Sequence, residues 1–214
     1  MNTIERTGPL IDYVDSKKPI YELTLRESAE FIELEIDYLI DLIIYEYHFN
    51  ARENVAVIYD LAQKLFCRHN GKHPELSKYV ETLFLFFDDL LFHLKKEEQI
   101  IFPKIIQLTE KKLQEGTFNY STLEIIKEYS ITMQNEHWDI VNQLEFFRRL
   151  TNNYTLPEDC SKTYQSLFTK MKEFENEMIQ HIQVEDNFLF PRAIQMAENL
   201  TVKKKMKTFL SEPG

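Results

Sequence analysis

Two stretches of the chain carry a histidine and a glutamate four residues apart, and both continue in the same way. His181-Ile182-Gln183-Val184-Glu185 is followed by Asp186-Asn187-Phe188-Leu189 and Phe190-Pro191-Arg192; His93-Leu94-Lys95-Lys96-Glu97 is followed by Glu98-Gln99-Ile100-Ile101 and Phe102-Pro103-Lys104. Residues four apart lie on one face of an α-helix, so an imidazole and a carboxylate from each stretch can reach a metal ion held between helices. A single His-x-x-x-Glu is usually an exposed helix pair worth about 0.2–0.5 kcal/mol. Solvated pairs have no reason to share an ending of two apolar residues, Phe, Pro and a basic residue. Two such blocks point to two metal ions that share two bridging carboxylates, Glu97 and Glu185.

The elements that must position them are helices. Glycines number only 4 in 214 residues, and Leu, Ile, Glu and Lys are frequent, which favours an all-α protein. Apolar spacings of three and four predict a helical stretch from Glu30 to about His69, either unbroken or bent near His48–Ala51. A second helix is expected from Pro74 to Leu113, with a kink or break at Pro103. A third is expected from Ser121 to Leu150, and a fourth from beyond Pro157 to about Leu200. Asn70–Pro74, Gln114–Thr117 and Thr151–Pro157 read as the turns between them. Residues 1–33 form a short N-terminal extension, with a short helix near Leu10–Val14, a turn at Asp15–Pro19 and a helix entry near Arg26. Residues 34–200 form the bundle and 201–214 a tail.

In an antiparallel up-down four-helix bundle, equal distance from a turn means equal height. His48 and His93 stand at near-equal distances on either side of the first turn, and so do His93 and His137 around the second. His137 is closer than His181 to the third, a mismatch the long 151–157 loop can absorb. One histidine from each helix therefore falls in a single layer, which is how bundle-core di-iron sites are built. His69 lies about 31 Å along an unbroken helix from His48 at a rise of 1.5 Å per residue, too far to share the layer unless the helix breaks. His73 falls in a turn and reads as solvated.

The candidate ligand set is His48, His93, Glu97, His137, His181 and Glu185. Imidazoles and carboxylates without thiolates suit iron, manganese or zinc, and a Glu-bridged pair without cysteine favours two non-haem irons. Two imidazoles per ion plus shared carboxylates leave positions open for oxygen, nitric oxide or an oxo bridge. No further base or nucleophile is spaced for hydrolysis, so the expected work is redox chemistry or small-molecule binding. Asp89, one turn before His93, and Glu136, next to His137, are placed either to orient a ligand imidazole or merely to solvate a helix face. Phe84, Phe86, Phe87, Phe92, Phe188 and Phe190 read as core that keeps water from the ions.

The remaining composition narrows the alternatives. A formal net charge of −10 opposes binding to a nucleic-acid backbone, and Lys203, Lys204, Lys205 and Lys207 read as a solvated helix end. No apolar run is long enough to span a membrane, and residues 1–6 lack a signal-peptide pattern. Cys67 and Cys160 stand far apart and read as two reduced thiols in a cytoplasmic protein.

At these residues the sequence resembles the hemerythrin-like proteins and, among them, the RIC proteins, which repair iron centres. The similarity covers roughly Leu39 to Ala193 and rests on Leu39-Ile40-Asp41, Tyr47-His48, the two His-Glu blocks, Glu136-His137 and Thr151-Asn152-Asn153. Oxygen-carrying hemerythrins place a second histidine four residues from the one on the third helix. Met133 and Val141 stand there instead, so the repair branch fits better. The resemblance implies a hemerythrin-like fold and a di-iron centre bridged by Glu97 and Glu185. It also implies repair of iron-sulfur clusters after oxidative or nitrosative damage, by iron donation or nitric oxide reduction, with damaged iron-sulfur proteins as clients. A non-enzymatic oxygen or nitric oxide binding or sensing protein is the alternative. The family's N-terminal region usually carries an adjacent cysteine pair; residues 1–35 contain no cysteine, which argues against a thiol-dependent step there.

Overall fold

The computed structural model describes residues 25–69, 74–113, 120–158 and 160–210. These fold into five helices with no strand among the described residues: α1 (Leu25–Glu33), α2 (36–69), α3 (74–113), α4 (Tyr120–Leu150) and α5 (162–210). The expected helix at Leu10–Val14, the turns at 15–19, 70–73 and 114–117, and His73 lie outside the described residues. Helices α2 to α5 form the bundle. Each packs on its successor, and α2 closes against α5, the arrangement of an antiparallel bundle with short connections.

The stretch from Glu30 to His69 breaks at its start, not near His48. Glu35 is extended (φ −62°, ψ 150°) and separates α1 from α2. The end of α1 leaves carbonyls without intrahelical partners, and the Arg192 guanidinium donates to two nearby, Phe31 O and Leu34 O. Phe31 then packs on Phe188, ring centroids 5.6 Å apart. From Ile36 the helix is unbroken to His69, so the separation of about 31 Å between His48 and His69, at 1.5 Å per residue, stands.

Three of the four bundle helices contain a wider, π-helical turn: Ile43–His48 in α2, Glu97–Ile101 in α3 and Glu185–Leu189 in α5. In each, a backbone N–H reaches five residues back, as from Phe102 to Glu97 O and from Phe190 to Glu185 O. This answers the question posed by Pro103. A proline lacks the N–H and crowds the carbonyl four residues earlier. The extra residue in the turn just before it opens that crowding, and α3 continues to Leu113 instead of breaking. Pro191 follows its own π turn in the same way. Such turns are rare and concentrate at functional sites.

Helix α5 also outruns the expected end at Leu200 and reaches Leu210. Residues 201–210 contain no Gly or Pro, and their lysines, methionine and leucine favour helix; the first breakers are Pro213 and Gly214. Helix α4 ends in a left-handed turn, where Asn153 N–H bonds Arg148 O at 2.7 Å and Asn152 N–H bonds Arg149 O at 3.1 Å.

The apolar core is in two parts. One contains Ile58, Leu65, Leu83, Phe87, Leu144, Phe147, Met171 and Phe174. The other contains Leu39, Ile43, Phe102, Ile105, Ile126, Val184, Phe190 and Ala193. Between them lies a layer of buried polar side chains.

Candidate metal centre

That layer is made of His48, His93, Glu97, His137, His181 and Glu185, all buried, with exposures of 0–3%. All six candidates read from the sequence are brought together, and the unbroken backbone of α2 places His69 about 31 Å from His48 at 1.5 Å per residue. Their donor atoms form two groups of four that share both glutamates, His48–His181 and His93–His137, and within each group the atoms lie within 4.8 Å of one another.

The carboxylates span the two groups. Glu97 Oε1 is 3.3 Å from His93 Nε2 and 3.4 Å from His137 Nε2, while its Oε2 is 3.4 Å from His48 Nε2. Glu185 Oε2 is 3.1 Å from His137 Nε2, while its Oε1 is 3.1 Å from His181 Nε2 and 3.7 Å from His48 Nε2. Bonds of about 2.0–2.2 Å from a metal to nitrogen or oxygen put neighbouring donors roughly 3 Å apart, so these spacings suit one ion in each group.

Hydrogen bonding tests the fit independently. All four carboxylate oxygens of Glu97 and Glu185 are buried without a hydrogen-bond donor, which costs several kcal/mol for a charged group, on the order of 2–7 even for a neutral one. Three imidazoles are held from behind by acids: His48 Nδ1 to Glu98 at 2.8 Å, His93 Nδ1 to Glu136 at 2.9 Å and His137 Nδ1 to Asp186 at 2.9 Å. A carboxylate accepts, so each of these Nδ1 atoms carries the proton, and in the neutral ring Nε2 turns a lone pair inward. His93 Nε2 and His137 Nε2 then face each other at 3.1 Å with no proton between them. A cation resolves both the orphaned oxygens and the opposed nitrogens.

Without a metal, protons partly fill that role. Burial disfavours the charged imidazole, but Glu185, Glu97 and Glu98 together push His48 up to about 11. His137 is held well above the ordinary imidazole value by Asp186, Glu185 and Glu97 against the same burial, and His93 is raised by Glu97 and Glu136. His181 is the exception, since burial lowers it and its neighbours do not make up the difference. Burial raises Glu97 and Glu185, yet the surrounding imidazoles carry both below the usual carboxylate range.

The supporting acids differ from those expected. Asp89 is exposed and takes no part. Glu136 serves His93 on the neighbouring helix, not the adjacent His137, and pairs on its other oxygen with Lys96. Glu98 and Asp186 were not singled out, although a signal existed: each directly follows a bridging glutamate in the repeated block. Each holds the histidine of the preceding helix, and Arg52 reaches Glu98 at 2.9 Å. The Phe of each block stacks on that same histidine, Phe102 on His48 at 5.6 Å and Phe190 on His137 at 6.0 Å between centroids.

Loss of such a supporting carboxylate typically costs about 10–100-fold in metal affinity. Asp186→Asn is therefore expected to weaken metal binding by that order while the far-ultraviolet circular dichroism stays unchanged. Competition with a chelator of known affinity measures it, and an unaltered affinity would remove Asp186 from the centre.

Comparison with known proteins agrees with this geometry. The family model described as the hemerythrin HHE cation binding domain matches residues 40–193. An iron-sulfur cluster repair protein YtfE of Yersinia pseudotuberculosis (serotype IB, strain PB1/+) is 30% identical over 185 residues, covering 86% of this chain and 78% of that protein. The protein of the same name from Yersinia pestis (strain Pestoides F) is 29% identical over the same span. No helix among the described residues is long and apolar enough to cross a membrane.

Proposed function

The chain belongs to the hemerythrin HHE family and, within it, to the iron-sulfur cluster repair proteins; from that membership we propose that its buried layer holds two non-haem irons used to repair damaged iron-sulfur clusters. The ligands in this reading are His48 and His181 for one ion, His93 and His137 for the other, and Glu97 and Glu185 as bridges. The observation that carries it is the pair of four-donor groups sharing two carboxylates. Iron so held supplies one-electron chemistry and open positions for nitric oxide or oxygen.

The chain's own residues do the rest. Glu98, Glu136 and Asp186 fix the proton of three imidazoles on Nδ1 and leave Nε2 for the ion. Phe102 and Phe190 cover two of the rings, and the apolar cores on either side exclude bulk water. Two imidazoles per ion hold iron less completely than a closed site does, which suits a centre that gives iron up. In a reducing cytoplasm the clients would be proteins whose clusters have been oxidised or nitrosylated. A simple oxygen store is the weaker reading, because Met133 stands in the core one turn from His137 where a further histidine would be needed.

The test is metal analysis with spectroscopy. The purified chain is expected to bind about two irons, the count given by two donor groups. It should show near-ultraviolet absorption that changes when nitric oxide is added to the reduced form, and it should restore activity to an enzyme with a damaged cluster. A chain that binds no iron, or binds it and restores nothing, would refute the proposal.

A further inference from the structure

The supporting residues of the two halves of the centre differ at the position before the histidine of α2 and α4. In α4, Glu136 precedes His137 and accepts from His93 Nδ1. In α2 the residue preceding His48 is Tyr47, and its ring lies flat on His181, 5.5 Å away and 13° from parallel. His181 Nδ1 is buried with no hydrogen-bond partner. The other three histidines all have an acid at that nitrogen.

Two further observations fall on the same side. A cavity of about 420 Å³ reaches His181; Glu46, Asn50 and Glu177 are exposed at its rim, Met178 and His181 are buried at its base, and among the described residues no Lys or Arg lines it. Approaches behind His48 and His93 are different, since Arg52 stands at Glu98 and Lys96 at Glu136. A cation arriving there meets a positive charge, and behind His137 it meets only the buried Asp186.

The tautomers separate the halves as well. His93 and His137 both hold their protons on Nδ1, so their opposed nitrogens need a cation. His181 is not so held.

We infer that the subsite held by His48 and His181 is the exchangeable one, loaded and emptied with ferrous or another divalent cation through the acid-rimmed cavity, and that Tyr47, in the position of Glu136, makes it so. The inference rests on the two-iron reading above. The exchangeable ion would be held by His48 and His181 with Glu97 and Glu185, and the ion that remains would keep His93 and His137 with the same two glutamates.

The experiment follows chelator uptake of ferrous iron from the fully loaded chain without oxygen. Two phases of one ion each are expected, the fast one at least about ten-fold quicker, the scale on which a missing supporting partner weakens metal binding. Glu46→Gln combined with Glu177→Gln should slow the fast phase several-fold and leave the slow phase and total iron unchanged. Tyr47→Glu, which offers His181 the acid that His93 has, should bring the two phases together. A crystal structure of half-emptied protein should keep its ion between His93 and His137. A single release phase, rates indifferent to both sets of variants, or an ion retained between His48 and His181 would overturn the inference and leave the two-iron reading intact. A chain that binds no metal would overturn both.

Discussion

Glu97→Ala and Glu185→Ala are each expected to lose both metal ions, whereas replacement of one histidine loses chiefly one. The reason is the sharing: each carboxylate presents one oxygen to each pair of imidazoles. On the two-iron proposal, removing it takes a ligand from both ions and an anion from a buried layer that would hold two cations. Losses of supporting groups alone cost about 10–100-fold, so loss of a shared ligand should exceed that and take the content from about two ions to well below one. The layer has spare positive charge once an acid is gone, and the metal-free variant keeps its two apolar cores, so helicity should survive. Glu97→Gln, which keeps the volume but donates where a ligand must accept, should behave like Glu97→Ala. Metal content unchanged in these variants, measured by plasma emission against protein concentration, would dismiss the bridging role.

The second large effect is the dependence of stability on metal and on pH together. The metal-free native state holds a proton on His48 up to about pH 11, while an unfolded histidine releases it near 6.5. Between those values the native state binds more protons than the unfolded one, so stability falls as pH rises through that window. His137 and His93 are raised too and act in the same direction. Glu97 and Glu185 are lowered, so their contribution is present above the ordinary carboxylate value and is lost as pH falls below it. His181, lowered by burial, favours folding at higher pH and partly offsets the other imidazoles. Ions that displace these protons bind more tightly as pH rises. The loaded chain should therefore gain most over the stripped chain in mild alkali. With ions present at about a thousand times their dissociation constant the gain is about 4 kcal/mol per site, about 8 for two, and at roughly 2–4 °C per kcal/mol for a chain of this size the melting temperature should rise by about 16–32 °C. Thermal scans of loaded and stripped protein from pH 6 to 9 test it. A difference that shrinks with rising pH would contradict the assignment of protons to this layer.

Much of this was legible in the residues. The all-α fold follows from scarce glycine and clear helical spacing. The matching height of His48, His93, His137 and His181 followed from counting residues to the turns, and the six side chains do meet in one layer. The break at Leu34-Glu35 was not legible, because neither residue is a strong breaker and the carbonyls there are satisfied by Arg192, distant in sequence. The π turns were missed as well; Pro103 and Pro191 warned of an irregularity but not that it would lie before them and spare the helix. The supporting acids were half seen. Glu136 was noted beside the wrong histidine, since sequence adjacency cannot tell which helix an inward side chain serves. Glu98 and Asp186 escaped, although the repeat held both.

The π turns, the prolines after them, the acids and the phenylalanines recur as a set. Helices α2 and α3 form one hairpin in which Glu98 and Phe102 attend to His48. Helices α4 and α5 form another in which Asp186 and Phe190 attend to His137. Each donor group nevertheless draws one imidazole from each hairpin. The two hairpins are thus related by an approximate two-fold arrangement of their supporting contacts. The two hairpins differ where Tyr47 faces His181 and Glu136 faces His93, so one imidazole is stacked where its counterpart is hydrogen-bonded.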